Sequence, residues 1–453
     1  MSFWRQAISH LHSWRKSYNR KPLIVGGARQ VGKTTLVHQF AQSYKQSILL
    51  NLEKKADRSF FDRYDSVHDL LDAMLIDRGM TKDHLGDTLL FIDEIQELPK
   101  AIAMLRYFYE EVSDLQVIAA GSLLEHRLSD VKQFPVGRIS YLYLFPMNFV
   151  EYLAATGQDQ LRQALGTLPI SDAAHHVAMD RFKEYLMIGG MPEAIQTYVD
   201  TEDLTLLPGV YESIWASYVD DVSKYAASNS LARVMALIMR AAPAQLDQRI
   251  TFEKFGNSNY GSREVGEALR SLDAAGVIRL IYPTTDVQLP ATPDLKKRPR
   301  LQFLDTGLVV HAMGLLPQML GSVDMSSDFR GGIVSHVVHQ EVTSLQALSV
   351  RPLSFWVREK RNSQAEVDMV LPHKGLLIPV EIKAGAVGKL RSLHQYVDAS
   401  PHPYAVRMYG GELSVERHRT RAGTDFILLN LPYYLGTQVY AYLDYLMEAE
   451  VDG

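Results

Sequence analysis

The sequence predicts an α/β protein of several domains, with a first domain built as a parallel sheet around a phosphate-binding loop. Three observations carry this. Leu23-Ile24-Val25-Gly26 is an apolar strand that runs into the glycine-bracketed loop Gly27–Gly32, and a helix begins at Lys33-Thr34. Thr88-Leu89-Leu90-Phe91-Ile92-Asp93-Glu94 is a second apolar run, ending in two carboxylates, as expected for a strand buried on both faces of a parallel sheet. At 453 residues with 47% apolar composition, the chain exceeds one ordinary core.

Composition narrows the partners. The charged share is 22% and the formal net charge −5, so there is no global basic footprint, and nucleic-acid contact would rest on local patches. Lys296-Lys297-Arg298-Pro299-Arg300, Arg358–Arg361 and Arg417–Arg421 are such runs, each read first as a solvated surface. With no cysteine, disulfides, thiolate zinc sites and thiol nucleophiles are excluded. No apolar run reaches the ~20 residues of a spanning helix. Met1–Arg5 lacks the apolar core of a signal peptide, so the expected compartment is the cytoplasm, without membrane attachment.

In chain order, residues 3–18 space Phe3, Ala7, Ile8, Leu11 and Trp14 as one helix face. Gly27, Gly32, Lys33 and Thr34 then satisfy G-x-x-x-x-G-K-[ST], the Walker A pattern. Gly27, Ala28, Arg29, Gln30, Val31, Gly32, Lys33, Thr34 and Thr35 are the expected nucleotide cradle. Their backbone N–H groups and the helix N-terminus face phosphate, Lys33 reaches the β/γ-phosphates, and the Thr34 hydroxyl is a Mg²⁺ ligand. A strand over 47–52 and helical sequence over 59–85 follow. Asp93 is the Walker B carboxylate for Mg²⁺, and Glu94 the group that polarises attacking water. Leu115–Ala120 is a third buried strand, and Ser122 just beyond it lies toward the γ-phosphate or caps a helix at Leu123. Arg138, after Gly137 and before the apolar Ile139–Leu144, is either an arginine finger for a neighbouring subunit or a structural surface arginine.

The succession Walker A, Walker B, polar strand end, Gly-Arg resembles the AAA+ class of P-loop ATPases. More narrowly, Gly27–Thr34, Phe91–Gln96 and Val136-Gly137-Arg138…Phe145-Pro146-Met147-Asn148-Phe149 resemble a group of prokaryotic ATP-binding proteins that carry a C-terminal domain of uncharacterised function. The resemblance implies ATP as the nucleotide, Ser122 as a sensor-1 residue, and a homo-oligomer whose sites are completed in trans. No sensor-2 arginine stands out by motif. The ATPase core is expected at 1–150 and a helical lid or linker at 151–230.

Residues 151–230 read as helices interrupted at Gly189-Gly190-Met191-Pro192, a stop and a restart. His175-His176 has no carboxylate or further histidine at ligand spacing and reads as packing. Over 231–300, a helix from Leu231, a second from Ser262 stopped by Gly276, and the strand Val277–Tyr282 make a winged-helix-like pattern. Arg263 and Arg270 on the second helix would be available to DNA; packing between domains is the alternative.

The last segment, 301–453, opens with a strand and turn at Leu301–Gly307. Glu366-Val367-Asp368-Met369-Val370-Leu371 and Leu377–Lys383 are strands, and Gly375 between them predicts a hairpin that brings Asp368 beside Glu381 and Lys383. The pattern D…E-x-K, followed by a helix with Gln395-Tyr396, resembles the signature of restriction-endonuclease-like nucleases. That resemblance implies Asp368 and Glu381 as Mg²⁺ ligands, Lys383 beside the attacking water, and Glu341 as an extra metal carboxylate. A plain ion pair is the alternative. His336, His339 and Glu341 do not match a metal-binding helix spacing and read as a solvated face.

Two functions are therefore expected in competition. One is Mg²⁺-dependent ATP hydrolysis coupled to DNA binding and phosphodiester cleavage. The other is a nucleotide-switched binding or regulatory ATPase whose nuclease-like domain does not cut.

Overall fold

A computed structural model describes residues 3–121, 135, 137–226, 228–320, 328–360, 363–385 and 390–451. Two compact units emerge: one of Met1–Pro146, Ala274–Gly276 and Gln346–Val350, the other of Met147–Asp273, Val277–Leu345 and Arg351–Gly453. No helix among the described residues is long and apolar enough to cross a membrane.

The first unit is a five-stranded parallel sheet: β1 (Leu23–Gly26), β2 (Gln46–Asn51), β3 (Thr88–Asp93), β4 (Gln116–Ala120) and β5 (Ser140–Tyr143), in the order β2-β3-β4-β1-β5. β1, β3 and β4 are buried along their whole length, which their unbroken apolar sequences demand. Ile24, Leu90, Ile92 and Val117 pack against Leu70, Met74, Ile102 and Phe108 of the covering helices. The stretch read as helical over 59–85 is two helices, Lys55–Arg63 and Val67–Asp77, and a 3-10 segment. The break is local chemistry: the Ser66 hydroxyl accepts from His68 N–H and caps the second helix.

The second unit begins with helices Phe149–Ala155, Asp159–Leu165, Asp172–Ile188, Pro192–Thr201 and Leu207–Tyr225. Gly189 at φ 77 ends one helix and Pro192 starts the next, the stop and restart expected there. Helices Asn229–Ala241 and Ser262–Ala274 follow, and then β6 (Ile278–Ile281). The two-residue β7 (Pro283–Thr284) joins the larger sheet, while β6 pairs antiparallel with β8 (Arg300–Phe303).

That larger sheet has seven strands, completed by β9 (Ser354–Lys360), β10 (Ser363–His373), β11 (Leu376–Ile382), β12 (Tyr404–Tyr409), β13 (Ser414–Arg419) and β14 (Asp425–Pro432), ordered β13-β14-β12-β11-β10-β9-β7. The β10–β11 hairpin turns at Lys374 (φ 43) and Gly375 (φ 81), the positive angles that a tight hairpin requires. The register pairs Met369 with Val380, so Asp368 and Glu381 are the next opposed positions. On its other side β10 carries an extra residue between Val367 and Val370 relative to β9, a bulge at Asp368-Met369 of the kind that re-aims side chains.

Candidate functional site

Strand register places the two nucleotide motifs at one edge. Ile92 of β3 lies level with Ala119 of β4, which lies level with Ile24 of β1. Asp93 therefore emerges beside the start of the glycine loop, at the carboxyl ends of the strands where α/β sheets bind ligands. Gly27 has φ 138, and a Cβ there would overlap the Leu144 carbonyl. Gln30 (φ 62) and Gly32 (φ 94) complete the turn into the helix Lys33–Ala41. Thr35 and Gln30 are exposed, Arg29 is half-buried, and Ala28 and Val31 are buried.

Lys33 is 7% exposed and donates from Nζ to the Gly27 carbonyl at 3.0 Å and the Ala28 carbonyl at 2.7 Å. Burial lowers its pKa to about 8, against the opposing pull of Glu94 and Asp93. Thr34 Oγ1 donates to Asp93 Oδ2 at 2.7 Å. Burial raises the Asp93 pKa; the Thr34 hydrogen bond opposes this. Glu94 is in the left-handed region at φ 51 and accepts a hydrogen bond from Gln96 Nε2. The hard oxygen donors that Mg²⁺ selects are thus already touching, and glycine at 27 lets the loop backbone pass tight against the Leu144 carbonyl. The residues fit a magnesium nucleotide.

Arg5 also serves this loop. Its guanidinium is buried and donates to the Val31 carbonyl at 2.8 Å and the Phe145 carbonyl at 2.7 Å, bracing the glycine loop. No motif marks it. Ser122 lies outside the described residues. Arg138 is half-exposed and donates from Nε to Glu110 Oε1 at 3.1 Å.

In the second unit, Asp368, Glu381 and Lys383 are brought together as the hairpin predicts. Asp368 Oδ2 accepts from Ile382 N–H at 2.8 Å, and Lys383 Nζ donates to Glu381 Oε1 at 2.6 Å. Glu381 is 5% exposed, and its pKa is raised by burial and by Asp368. An arginine also enters the group. Arg300 Nη1 lies 3.2 Å from both Asp368 Oδ1 and Asp247 Oδ1, and its Nε donates to Glu366 Oε1 at 2.7 Å. Arg300 ends a run whose sequence reads as solvated surface; it is buried instead, as is every residue of β8, with its guanidinium held by Glu366, Asp247 and Asp368. Among the described residues, no three of His, Cys, Asp and Glu form a group able to hold a metal ion. The donor set therefore does not fit a resident magnesium while Arg300 is in place.

Glu341 does not join these carboxylates. Both its oxygens accept from Phe149 N–H at 3.1 Å, and Oε1 accepts from the Tyr185 hydroxyl at 3.0 Å. It serves the N-terminus of the helix Phe149–Ala155, whose own cap is Asn148, rather than a metal. The helix Asp328–Ser344 is not a solvated face either: His336, His339, Gln340 and Glu341 are all buried. Gln340 Nε2 donates to Tyr185 Oη at 3.1 Å and Asp305 Oδ1 at 3.3 Å, while Asp305 accepts from Gly190 N–H at 2.6 Å. His175 is packing, with Nδ1 3.0 Å from Tyr434 Oη.

Comparison with known proteins bears on the domains rather than on single residues. A family model described as an AAA domain matches residues 19–153, and models of two domains of unknown function, DUF8612 and DUF4143, match residues 179–319 and 330–434. Residues 19–153 thus match an AAA-type P-loop ATPase domain. No curated protein matches the sequence. Similar solved structures include a signal-transduction ATPase with a tetratricopeptide repeat sensor from Pyrococcus horikoshii (11% identity, 76% of this chain and 48% of that one, TM-score 0.29). Others are the Aeropyrum pernix ORC1 protein in complex with DNA (12%, 70% and 94%, 0.28) and the S. cerevisiae Hsp104–ADP complex (15%, 60% and 38%, 0.28). The chain spans about half the length of the first of these. Overlaps this low carry no argument about function.

Proposed function

We propose that the protein is a magnesium-dependent ATPase whose nucleotide state controls its engagement of DNA. The observation that carries the reading is the Thr34–Asp93 contact of 2.7 Å at the mouth of the glycine loop. It supports a site in which Walker A and Walker B residues already share one ligand position. Mg²⁺ held by Thr34 and Asp93 would neutralise charge on the β- and γ-phosphate oxygens. Lys33 exchanges its loop carbonyls for phosphate oxygens. Glu94 orients a water whose oxygen bonds to the γ-phosphorus as the bond to the β-phosphate oxygen breaks; Glu94 takes the proton and ADP leaves. A homo-oligomer in which the half-exposed Arg138 reaches a neighbour's nucleotide belongs to the same reading.

DNA contact is assigned to the winged-helix-like stretch 231–300. Arg263 and Arg270 are exposed on the helix Ser262–Ala274, available to phosphate or base edges. The test is fluorescence anisotropy of a labelled duplex with ATP, ADP or no nucleotide, comparing wild type with Arg263→Ala/Arg270→Ala. Nucleotide-dependent binding that weakens in the variant supports the coupling. Binding indifferent to nucleotide and to both arginines removes it.

For the restriction-endonuclease-like stretch 301–453, one contact favours the non-cutting alternative. Arg300 stands against Asp368 Oδ1, where a cleaving site needs its metal. The reading is a switched module that holds DNA or a partner without cutting in the conformation described.

A further inference from the structure

We propose that Arg5 is a positioning residue of the nucleotide site: it aims the Gly32 N–H at phosphate and so governs affinity for a nucleoside triphosphate. This role rests on the reading of Gly27–Thr34 as that site.

The glycine loop is held from behind at both ends. At its start, Gly27 passes so close to the Leu144 carbonyl that no Cβ fits, and Leu144 N–H donates to the Gly26 carbonyl at 2.9 Å. At its end, Arg5 Nη1 donates to the Val31 carbonyl at 2.8 Å, and Nη2 to the Phe145 carbonyl at 2.7 Å. Phe145 follows Leu144 in the chain. One short stretch therefore backs the first glycine of the loop directly and the last one through Arg5.

Peptide geometry connects this brace to phosphate. A trans peptide unit is planar, so its C=O and N–H point opposite ways. Arg5 draws the Val31 C=O to its own buried side, which turns the Gly32 N–H away from it. The exposures agree: Arg5 is 6% and Val31 0% exposed, whereas Gly32 is only half-buried. Gly32, at φ 94, is the N-cap of the helix Lys33–Ala41, where N–H groups lack partners within the helix. A hydrogen bond from a charged guanidinium also polarises the peptide it holds, which makes the N–H on the far side a stronger donor.

The helix that follows Arg5, Ala7–Arg15, is anchored by other residues. Leu11 is fully buried, Trp14 Nε1 donates to the Lys21 carbonyl at 2.8 Å, and Arg15 reaches Asp87 Oδ1 at 2.5 Å and lies 4.0 Å from the centre of the Tyr44 ring. Removing the Arg5 guanidinium thus releases the loop peptide without detaching the helix.

The experiment titrates full-length wild type, Arg5→Gln, Arg5→Lys and Arg15→Gln with ATP and Mg²⁺ by calorimetry, and takes kcat and KM from phosphate release. For Arg5→Gln the expected result is ATP binding about ten- to a hundredfold weaker, the scale of one charged hydrogen bond. Its kcat at saturating ATP stays within about threefold of wild type, as when an interaction common to ground and transition states is lost. Arg5→Lys keeps the charge but not the two-pronged reach and regains part of the affinity. Arg15→Gln, which alters the same helix without touching the loop, binds ATP as wild type does. An Arg5 that only supports the fold would lower the active fraction, reducing kcat with Kd and KM unchanged. That result, or equal weakening in Arg15→Gln, overturns the assignment. Should Arg5→Gln fail to fold, Arg5→Lys alone decides, by whether its ATP affinity falls below that of wild type. Wild-type protein that binds no ATP removes the ATPase reading itself, whereas wild-type affinity retained in folded Arg5→Gln removes only the role of Arg5.

Discussion

Thr34 and Asp93 meet at 2.7 Å, hydroxyl to carboxylate, though fifty-nine positions separate them in the chain. Asp93 ends β3 and Thr34 opens the helix that follows β1 and the glycine loop, so the contact follows from the register of β1 and β3 together with the turn of that loop. It predicts that Asp93→Asn leaves ATP binding in EDTA nearly unchanged while Mg²⁺-dependent turnover falls by about 10²–10³, the usual cost of one misplaced transition-state stabiliser. Steady-state phosphate release and equilibrium ATP binding, measured side by side, check this.

Gly27 is where the loop has no room for a side chain. At φ 138, with the Leu144 carbonyl against its missing Cβ, Gly27→Ala must move the backbone that faces phosphate. We expect loss of ATP binding and a fall in stability of about 1–3 kcal/mol from the forced conformation. Denaturant unfolding and nucleotide titration are the measurements; an alanine variant with wild-type ATP affinity would refute the close approach.

Lys33 gives the ATP site a pH dependence. Burial lowers its pKa to about 8, and bound phosphate favours the charged ammonium. Below pH 8 the lysine is already charged, so affinity is flat. Above it, binding must recruit a proton, and the ATP Kd rises by up to about tenfold per pH unit. Titrations between pH 7 and 9.5 should show the break, with Lys33→Arg removing it.

Glu341 predicts the opposite kind of linkage, in stability. Burial raises its pKa from 4.5 to about 8, with the Phe149 amide and Tyr185 hydroxyl opposing. Between those values the folded chain retains a proton that the unfolded chain has released. Stability therefore falls as pH rises through that window, by up to about 1.4 kcal/mol per unit. Glu341→Gln imitates the protonated form. Its stability relative to wild type should be near level at pH 5 and should improve toward pH 8, as read by unfolding midpoints.

The legible parts of the molecule are those where one strand and one turn determine the chemistry. Walker A needed only β1, its glycines and Lys33; Asp93-Glu94 needed only an apolar run with carboxylates at its end. The β10–β11 hairpin could be read because Gly375 fixes the turn and period-2 alternation then sets Asp368 against Glu381. What escaped were the contacts between distant segments that no motif joins. Arg5 reaches the loop from a helix with no motif. Arg300 was hidden in a basic run. Glu341 had the charge of a metal ligand, but its partner, the Phe149 amide, lies 192 positions away. No spacing rule reaches that far.

The most direct measurement is ATP binding and phosphate release by the purified chain with Mg²⁺, comparing wild type, Lys33→Ala and Glu94→Gln. The predicted result is turnover by wild type, loss of ATP binding in Lys33→Ala, and retained binding with turnover reduced by about 10²–10³ in Glu94→Gln. Phosphate release that persists unchanged in both variants would contradict it, because no step assigned to the glycine loop and the end of β3 could then be responsible.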